Sequence, residues 1–308
     1  MRMNWLPGVM MLAGLVLAPF LLGVINRTKA VFAGRHGAPL LQAYYDLGKL
    51  LRKGAVYSRT TTWVFRAAPV IGLASVVAAL ALLPVSGASA PLSFSGDLIL
   101  FAYCLGLMRF FTVVAALDTG SSFEGMGASR EVQFSALAEP ALILGLATLA
   151  RVTGSLSLTG IFSGLAEPAW LATGPALVLV SVALLIVFLA ENARIPVDDP
   201  NTHLELTMIH EVMVLDHSGP DLAFILYGAS LKLWVLGALV VNVALSCLGL
   251  SGAAALGGFA AGMIVLAVGV GIIESIMARL SLLRLPQLLK GAGALAVFAF
   301  TLMETFTS

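Results

Sequence analysis

The sequence predicts an all-α integral membrane protein with about eight transmembrane helices, an amphipathic cytoplasmic helix after the first span, and a structured acidic cytoplasmic loop between spans five and six. Apolar residues make up 59% of the 308 positions and charged residues only 11%, with a mean hydropathy of +1.00. Apolar runs of about twenty residues recur along the chain, a length that spans the hydrocarbon of a bilayer as a helix. No linker rich in Pro and Ser divides the chain, so residues 1–308 are predicted to form one membrane domain.

Eight spans account for the apolar runs. They are predicted near residues 5–25, 66–85, 96–117, 132–150, 172–190, 223–248, 254–273 and 287–306. The first run has no small-residue cleavage site and is predicted to remain as a helix. The loops after spans one, three, five and seven contain twelve of the seventeen Lys and Arg residues. The positive-inside rule therefore predicts that these loops are cytoplasmic and that both termini lie on the other side.

The first cytoplasmic loop, residues 26–66, contains eight basic residues and one acid, Asp46. Its middle reads PLLQAYYDLGKLLRK and repeats apolar residues every three or four positions, which predicts an amphipathic helix. Asp46, Lys49 and Lys53 fall on the polar side of that helix. Two interpretations stay open here: a helix held at the membrane surface by anionic headgroups, or one that also packs on a partner subunit.

Three charged residues lie well inside the predicted spans, away from the span ends: Arg109 in the third, Glu139 in the fourth and Lys232 in the sixth. An ionisable side chain inside a membrane is costly and marks a functional site by default. The alternative is an ion pair between helices, such as Glu139 with Lys232 or with Arg109, that fixes packing and moves no ion.

The most unusual stretch of the sequence follows span five. Seven of the sixteen acids and three of the four histidines lie between Glu191 and Asp221. Pro196 and Pro200 are predicted to end the fifth helix, and a new helix is predicted from residue 201 or 202 to about Leu215. Its histidines and glutamates interleave with apolar residues, so it is predicted to line a site where protons pass between neighbouring Glu and His side chains.

Other chemistries find little support in the residues. His210 and Glu211 begin an HExxH pattern, but Val214 stands where the second histidine should be, so a zinc protease site is excluded. A different metal site remains open, built from His203, Glu205, His210 and Glu211. Cys104 and Cys247 are predicted to pack in the core, and two cysteines are too few to ligate an iron–sulfur cluster. There is no P-loop or dinucleotide motif, and no nucleic-acid partner is expected.

Three motifs carry a resemblance to a known family. AENARIPVDDP resembles the AETNRAPFDLPE signature of the family that includes the H subunit of NADH:quinone oxidoreductase and the membrane subunits of energy-converting nickel-iron hydrogenases. The matching positions are Glu191, Arg194, Pro196, Asp198 and Pro200, with Glu205 beyond. GASREVQFSALAE keeps the family's nine-residue spacing between Arg130 and Glu139. RHGAPLLQAYYDLGKLLRK is similar to the family's first loop through Arg35, Gly37, Pro39, Gln42, Asp46 and Lys49.

Departures from the pattern favour one branch of that family. His203 stands where the quinone-linked enzymes usually have an acid, and Ala43 replaces a proline. The chain looks more like the membrane subunits of formate hydrogenlyase and other membrane-bound hydrogenases. The resemblance implies a prokaryotic cytoplasmic membrane, a cytoplasmic hydrogenase module with a cluster-bearing small subunit and a large subunit docked on this chain, and antiporter-like membrane subunits beside it. The nickel-iron centre and iron–sulfur clusters are expected in those partners, and no cofactor in this chain.

We therefore predict a membrane anchor and coupling subunit that links redox chemistry to proton or sodium movement. A quinone-site subunit and a purely structural anchor are the alternatives. The residues predicted to carry protons are Glu191, Asp198, Asp199, His203, Glu205, His210 and Glu211 at the cytoplasmic mouth, and Glu139 and Lys232 deeper in the membrane. Arg130 and Arg194 are predicted to orient carboxylates. The residues predicted to contact partner subunits are Arg27, Arg35, Gln42, Asp46, Lys49, Glu274 and Arg279, with a Glu274–Arg279 salt bridge as the alternative for that pair.

Overall fold

The computed structural model describes residues 5–85, 87–195, 209–277 and 284–307, with side chains up to residue 303. In these ranges the chain forms ten α-helices and no β-strand. Their bounds are α1 Leu6–Phe32, α2 Gln42–Leu51, α3 Trp63–Leu82, α4 Asp97–Asp118, α5 Ser122–Thr153, α6 Leu158–Gly164, α7 Glu167–Glu191, α8 Gly219–Ser246, α9 Gly252–Ile276 and α10 Leu285–Thr307. Every helix except α2 and α6 is long and apolar enough to cross a membrane, which confirms the predicted number of eight.

Helix α8 is the centre of the bundle. It packs against α1, α2, α3, α7 and α9, and a larger share of it is buried than of any other span. Around it, α3 packs on α4, α4 on α5, α5 on α7, and α10 covers the α5–α7 pair. Any polar side chain on the middle of α8 is therefore withdrawn from lipid, which is the position of Lys232.

Helix α1 is fixed to its neighbours at a proline. Pro19 has no amide hydrogen, so the carbonyl of Leu15 loses the hydrogen bond it would receive within the helix. The hydroxyl of Tyr227 on α8 donates to that oxygen at 2.8 Å, and the hydroxyl of Tyr44 on α2 donates to the next carbonyl, of Val16, at 2.5 Å. Inside a membrane a freed carbonyl must find such a partner, so these two bonds set the position of α1.

The predicted amphipathic helix after span one is confirmed as α2, and several of its side chains are half-buried against the bundle. Tyr44 reaches α1, and a Cβ atom on Gly23 of α1 would lie 2.0 Å from the carbonyl oxygen of Leu40. The absence of a side chain at Gly23 is therefore what lets the start of α2 pack directly on α1. The predicted apolar positions Leu40, Leu41 and Leu51 remain exposed.

Helix α5 begins ten residues earlier than the predicted span. Gly120 adopts a left-handed φ of 70° and Ser121 is extended, so the chain turns sharply out of α4 and starts a helix of 32 residues at Ser122. The added turns are polar, and hydropathy alone does not count them as membrane-spanning. As a result Arg130, two residues before the predicted span, lies inside a helix.

The end of α7 lies within one residue of the predicted boundary, but a different feature ends the helix. The helix stops at Glu191, before Pro196, because Ala193 adopts a left-handed φ of 51°. The amide of Ala193 donates to the carbonyl of Ala190, and that of Arg194 donates to Leu189 at 2.8 Å. These two bonds are the Schellman arrangement that commonly ends a helix, here with Ala in the place that glycine usually takes. The expectation that the prolines end the helix is therefore wrong.

The helix predicted to run to Leu215 is also wrong over its second half. Residues 209–216 form turns around a short 3-10 helix, Val212–Val214. We call residues 209–216 the strap. Its buried residues Val212 and Met213 pack on α4 and α5. The first half of the predicted helix, with His203 and Glu205, lies outside the described residues, as do Asp198, Asp199 and Arg279.

The two cysteines do not share one environment. Cys104 is buried in α4 as predicted, but Cys247 is exposed, which corrects the prediction of a core position. Helix α8 ends at Ser246, so Cys247 follows the last helical residue, and its thiol donates to the carbonyl of Ala244 at 3.0 Å.

Candidate ion site

Arg109, in the middle of α4, is the centre of a buried charge cluster. Its guanidinium contacts Glu139 through Nη1 and Glu191 through Nη2, and its Nε lies 3.2 Å from an oxygen of Glu131. Glu131 and Glu139 are two turns apart on α5, and Glu191 is the last residue of α7. One arginine therefore joins three helices through three carboxylates.

Two further side chains extend the cluster. The ammonium of Lys232 on α8 lies 2.7 Å from the second oxygen of Glu191. On the other side, Nδ1 of His210 in the strap lies 3.3 Å from the second oxygen of Glu131. We call Arg109, Glu131, Glu139, Glu191, Lys232 and His210 the Arg109 cluster.

The charges of the Arg109 cluster do not balance. Arg109 and Lys232 supply two positive charges and the three ionised glutamates supply three negative charges, so the cluster carries a net charge of −1 when His210 is neutral. Arg109, Glu131, Glu191 and Lys232 are each at most 9% exposed. A surplus charge away from water is costly, and taking up one proton or one cation cancels it.

Three cavities meet at the cluster. The α1–α2 cavity, about 460 Å³, is bounded by α1, α2, α4, α8 and the strap, and Arg109, Glu131, Glu191, Lys232 and His210 line it. The α7–α10 cavity, about 130 Å³, touches Glu131, Glu191 and His210. The α4–α5 cavity, about 690 Å³, is mostly apolar and contains Arg109, Glu139 and Glu191. Glu191 lines all three, so the Arg109–Glu191 pair separates the strap side from the Glu139 side.

Glu139 occupies the outer edge of this arrangement. Its side chain is 47% exposed, whereas the other two carboxylates are almost fully enclosed. It lies in the middle of a helix that crosses the membrane, next to the exposed aromatic rings of Tyr103 and Phe110 that line the same cavity. The Arg109 cluster therefore reaches from the strap to the outer surface of the α4–α5 pair.

The structure brings together four of the predicted proton carriers, Glu139, Glu191, His210 and Lys232. Glu211 is exposed and lines two of the cavities without joining the cluster. Of the two interhelical pairs considered for Glu139, the pair with Arg109 is present, and Lys232 contacts Glu191 instead.

The predicted orienting and docking residues have mixed outcomes. Arg194 lies 3.4 Å from Glu274, which also holds Lys29 at 2.5 Å, so Glu274 links α1, α9 and the end of α7 within this chain. Asp46, expected on the polar side of α2, accepts from Gln42 at 2.8 Å, and both line the α1–α2 cavity. Arg27, Arg35 and Lys49 are exposed, and Arg130 is half-buried on α5.

Two residues that matter were missed from the sequence as site residues. Arg109 was considered as an ion-pair partner of Glu139 but was not among the predicted site residues. Glu131, which directly precedes the predicted fourth span, was not considered. The signal that could have found Glu131 is its separation of eight residues from Glu139, close to two turns of one helix. It becomes useful only if α5 begins at Ser122.

A buried histidine that stays uncharged at neutral pH directly follows the strap. His217 is 5% exposed, and its ring stacks on Phe65 of α3 with 3.9 Å between ring centroids and 4° between planes. Burial lowers the pKa of His217 from 6.5 to about 4, because the charged ring would lose its water. Among the described residues no group of three His, Cys, Asp or Glu side chains could hold a metal ion.

The eight apolar helices and the buried charges together define a multi-pass membrane protein whose interior carries an ionisable site. Comparison with known proteins identifies the family. The chain belongs to the NADH dehydrogenase family, whose profile matches residues 6–304. This membership was predicted from the three motifs and is confirmed.

Three relatives and one solved structure are similar to the chain. Formate hydrogenlyase subunit 4 of Escherichia coli is 33% identical over 238 residues, covering 77% of this chain and 76% of the relative. Hydrogenase-4 component C of the same organism is 35% identical over 230 residues, covering 74% and 70%. The H subunit of NADH-quinone oxidoreductase from Anaplasma phagocytophilum is 27% identical over 256 residues, covering 75% and 73%. A chain of the membrane-bound sulfane sulfur reductase, an archaeal respiratory membrane complex, shares the fold with a TM-score of 0.77 at 18% identity, covering 96% and 97%.

Proposed function

We propose that this chain is the membrane coupling subunit of an energy-converting nickel-iron hydrogenase complex. In this proposal a cytoplasmic hydrogenase module docks on the first loop and on the acidic loop after α7, and antiporter-like subunits lie beside the chain in the membrane. The nickel-iron centre and the iron–sulfur clusters belong to those partners, and this chain carries out no redox step itself. Its similarity to proteins named for formate hydrogenlyase and hydrogenase-4 supports this assignment.

The observation that carries the coupling role is the Arg109 cluster with its surplus negative charge. A balanced and closed ion pair has no electrostatic reason to take up an ion, whereas this cluster holds one extra acid and adjoins three cavities. A proton or a sodium ion entering it therefore finds a site with favourable electrostatics. Redox-driven movement of a docked partner can load and empty such a site by shifting the strap.

The proposed route runs from the strap to the α4–α5 cavity. His210 passes a proton to Glu131, Arg109 and Lys232 hold Glu191 between the two sides, and Glu139 delivers the ion at the outer edge. Histidine can exchange a proton near neutral pH, and carboxylates in contact with one cation can share a charge change. Asp198, Asp199, His203, Glu205 and Glu211 remain proposed carriers at the cytoplasmic mouth, with both termini on the opposite side of the membrane.

Glu139→Gln tests the coupling role. The amide keeps the size of the side chain and can still accept from Arg109, but it cannot bind or release a proton. We expect the complex to assemble and to form hydrogen at a near-normal rate, while the number of ions moved per hydrogen falls at least tenfold. Hydrogen production and the pH or sodium change are measured together in inverted membrane vesicles.

Glu167→Gln is the matched control. Glu167 is an exposed glutamate at the first position of α7, at the opposite end of that helix from Glu191. It should leave both rates unchanged. If Glu139→Gln moved ions at the normal ratio, the Arg109 cluster would be a packing device and the chain an anchor.

The α1–α2 cavity favours a second candidate, a quinone-site subunit. Its volume of about 460 Å³ lies in the range of small-molecule sites, and its wall combines apolar residues such as Leu22, Leu47 and Leu226 with the charges of the cluster. An elongated apolar molecule with a polar head fits that lining. Extraction of the purified complex followed by mass spectrometry decides the matter, since a stoichiometric quinone would replace the hydrogenase proposal.

A further inference from the structure

Glu124 is a buried acid that the proposed route does not use. It lies in the first turn of α5, its side chain is fully buried, and Oε1 accepts the backbone amide of Asp216 at 3.1 Å. Its Oε2 is buried without a hydrogen-bond partner among the described residues, since the nearby hydroxyl of Thr119 donates to the carbonyl of Ala116 at 2.8 Å. Burying a carboxyl for one hydrogen bond is costly, so a hydrophobic residue would serve packing better. The hydrogen bond is the specific contribution that this side chain makes.

Glu124 lies on the same face of α5 as the Arg109 cluster. Gly127 follows Glu124 by three residues and Glu131 follows it by seven, so the three positions lie in one line along the helix. The strap runs along this line in the opposite direction: Asp216 meets Glu124, Val212 lies over Gly127, and His210 meets Glu131. Each end of the strap therefore contacts a glutamate of α5.

Gly127 determines how closely the strap approaches α5. A Cβ atom at this position would lie 2.4 Å from Cγ1 of Val212 and 3.1 Å from the carbonyl oxygen of Ile209. Val212 is fully buried, so it has little room to move aside. Any larger residue at Gly127 displaces the strap outward, and His210 moves with it because it lies between Ile209 and Val212.

We infer that Glu124 and Gly127 are positioning residues for proton exchange in the Arg109 cluster: they hold the strap against α5 so that His210 stays next to Glu131. This inference rests on the proposed function for its consequence and on the contacts of the strap for its geometry. Neither residue touches the ion route itself. Loss of the Glu124 hydrogen bond releases the Asp216 end of the strap, and the gap between His210 and Glu131 widens.

Chemical labelling of His210 tests the positioning directly. Both ring nitrogens of His210 are buried, so diethyl pyrocarbonate should modify it slowly in the intact complex. Glu124→Ala should raise the labelling rate about tenfold, measured by mass spectrometry. Glu124→Gln should restore the slow rate, because its amide oxygen accepts the same backbone hydrogen. Gly127→Ala should raise the rate with Glu124 intact, and Glu167→Ala is the control for loss of a first-turn acid.

The ion ratio tests the functional consequence separately. In vesicles, Glu124→Ala and His210→Gln should each lower the number of ions moved per hydrogen, and the double variant should be no worse than His210→Gln alone. Equal labelling of His210 in Glu124→Ala, Glu124→Gln and the unaltered chain would overturn the inference. A different result would overturn the proposed function instead. In that result His210 is labelled faster in Glu124→Ala, but the number of ions moved per hydrogen is unchanged in all variants, including Glu139→Gln. The positioning of His210 by Glu124 would then still hold.

Discussion

Two buried acids lie beside different parts of helix α4 and are held in different ways. Asp97, the first residue of α4, is fully buried and accepts from the amide of Leu158 at 2.6 Å, the hydroxyl of Ser157 at 2.8 Å and the amide of Phe94 at 3.2 Å. All three donors are neutral and belong to loops or to the start of α6. Glu191, in contrast, is held beside the middle of α4 by two cations, Arg109 and Lys232.

The difference separates a structural acid from one suited to ion exchange. Asp97 is surrounded by neutral donors, none of which is titratable, and it joins the α3–α4 loop to α6. Glu191 shares one of its two cations, Arg109, with two more carboxylates and adjoins three cavities, so the charge can be redistributed when one proton arrives. Burial alone therefore does not identify a functional acid. A functional acid is identified by the balance of charges around it and by the cavities that it adjoins.

The largest expected effect comes from removing the shared cation. Arg109→Ala leaves three carboxylates with Lys232 alone, a net charge of −2 in a buried place. Breaking a buried ion pair in this way typically costs about 3–5 kcal/mol of folding stability. We expect little intact protein after detergent extraction, measured by size-exclusion chromatography of a fluorescent fusion. Arg109→Lys keeps the charge but not the contact with three carboxylates, so it should give an intermediate amount of intact protein. Equal yields for all three chains would contradict the role of Arg109.

His217 is a buried titratable group that contacts neither Asp97 nor the Arg109 cluster, and the pH dependence of stability tests its burial. The folded chain keeps His217 neutral down to its pKa of about 4, whereas in the unfolded chain it takes up a proton at about 6.5. Between these values the unfolded chain binds more protons at His217. The contribution of His217 to the free energy of unfolding therefore falls as the pH is lowered from about 6.5 to about 4, and it does not change further below that. The full loss is roughly 3 kcal/mol.

His217→Phe provides the comparison for that test, since a phenyl ring preserves the stack on Phe65 but cannot be protonated. Thermal midpoints of both chains are measured in detergent from pH 7.5 to 4. The difference between the variant and the unaltered chain should grow as the pH falls. A constant difference would show that His217 has the same pKa in both states.

A smaller effect is expected at Asp97. Asp97→Ala leaves the buried amide of Leu158 unpaired, at a cost of roughly 2 kcal/mol. Asp97→Asn retains an oxygen for that amide and should lose less. Both variants should keep the normal number of ions moved per hydrogen, and vesicle assays of the kind proposed for Glu139→Gln check this. A fall in the ratio for Asp97→Asn would remove the distinction between the two sites.

The sequence was sufficient for the number of spans and for α2, because apolar runs and helical periodicity depend on local composition. It did not show where α5 begins, since Ser122–Glu131 is polar and its packing against the strap and α4 depends on long-range contacts. The end of α7 was predicted to within one residue, but the feature that ends it was not, because an alanine such as Ala193 has no local preference for a left-handed φ. Cys247 was misplaced because α8 ends one residue before it.

The candidate site was predicted as a set of residue types but not as an arrangement. Glu139 and Lys232 stood out because a charge in an apolar run is rare, and Glu191 and His210 stood out because acids and histidines are concentrated after span five. That Arg109 would hold three glutamates at once depends on how α4, α5 and α7 meet, and this long-range packing leaves no trace in spacing along the chain. Arg194 was predicted to orient carboxylates, but its spacing along the chain did not reveal that its partner is Glu274 on α9.

The proline in α1 has a consequence for the order in which the protein is made. The carbonyl of Leu15 is satisfied by Tyr227, which lies 212 residues later in the chain. At roughly 5–20 residues per second, translation takes roughly 10–40 s to produce that hydroxyl after α1 has emerged. During this interval the nascent helix enters the bilayer with an unsatisfied oxygen, which water in the insertion machinery or a lipid headgroup must cover. Final seating of the N-terminal helix is therefore a late event in biogenesis.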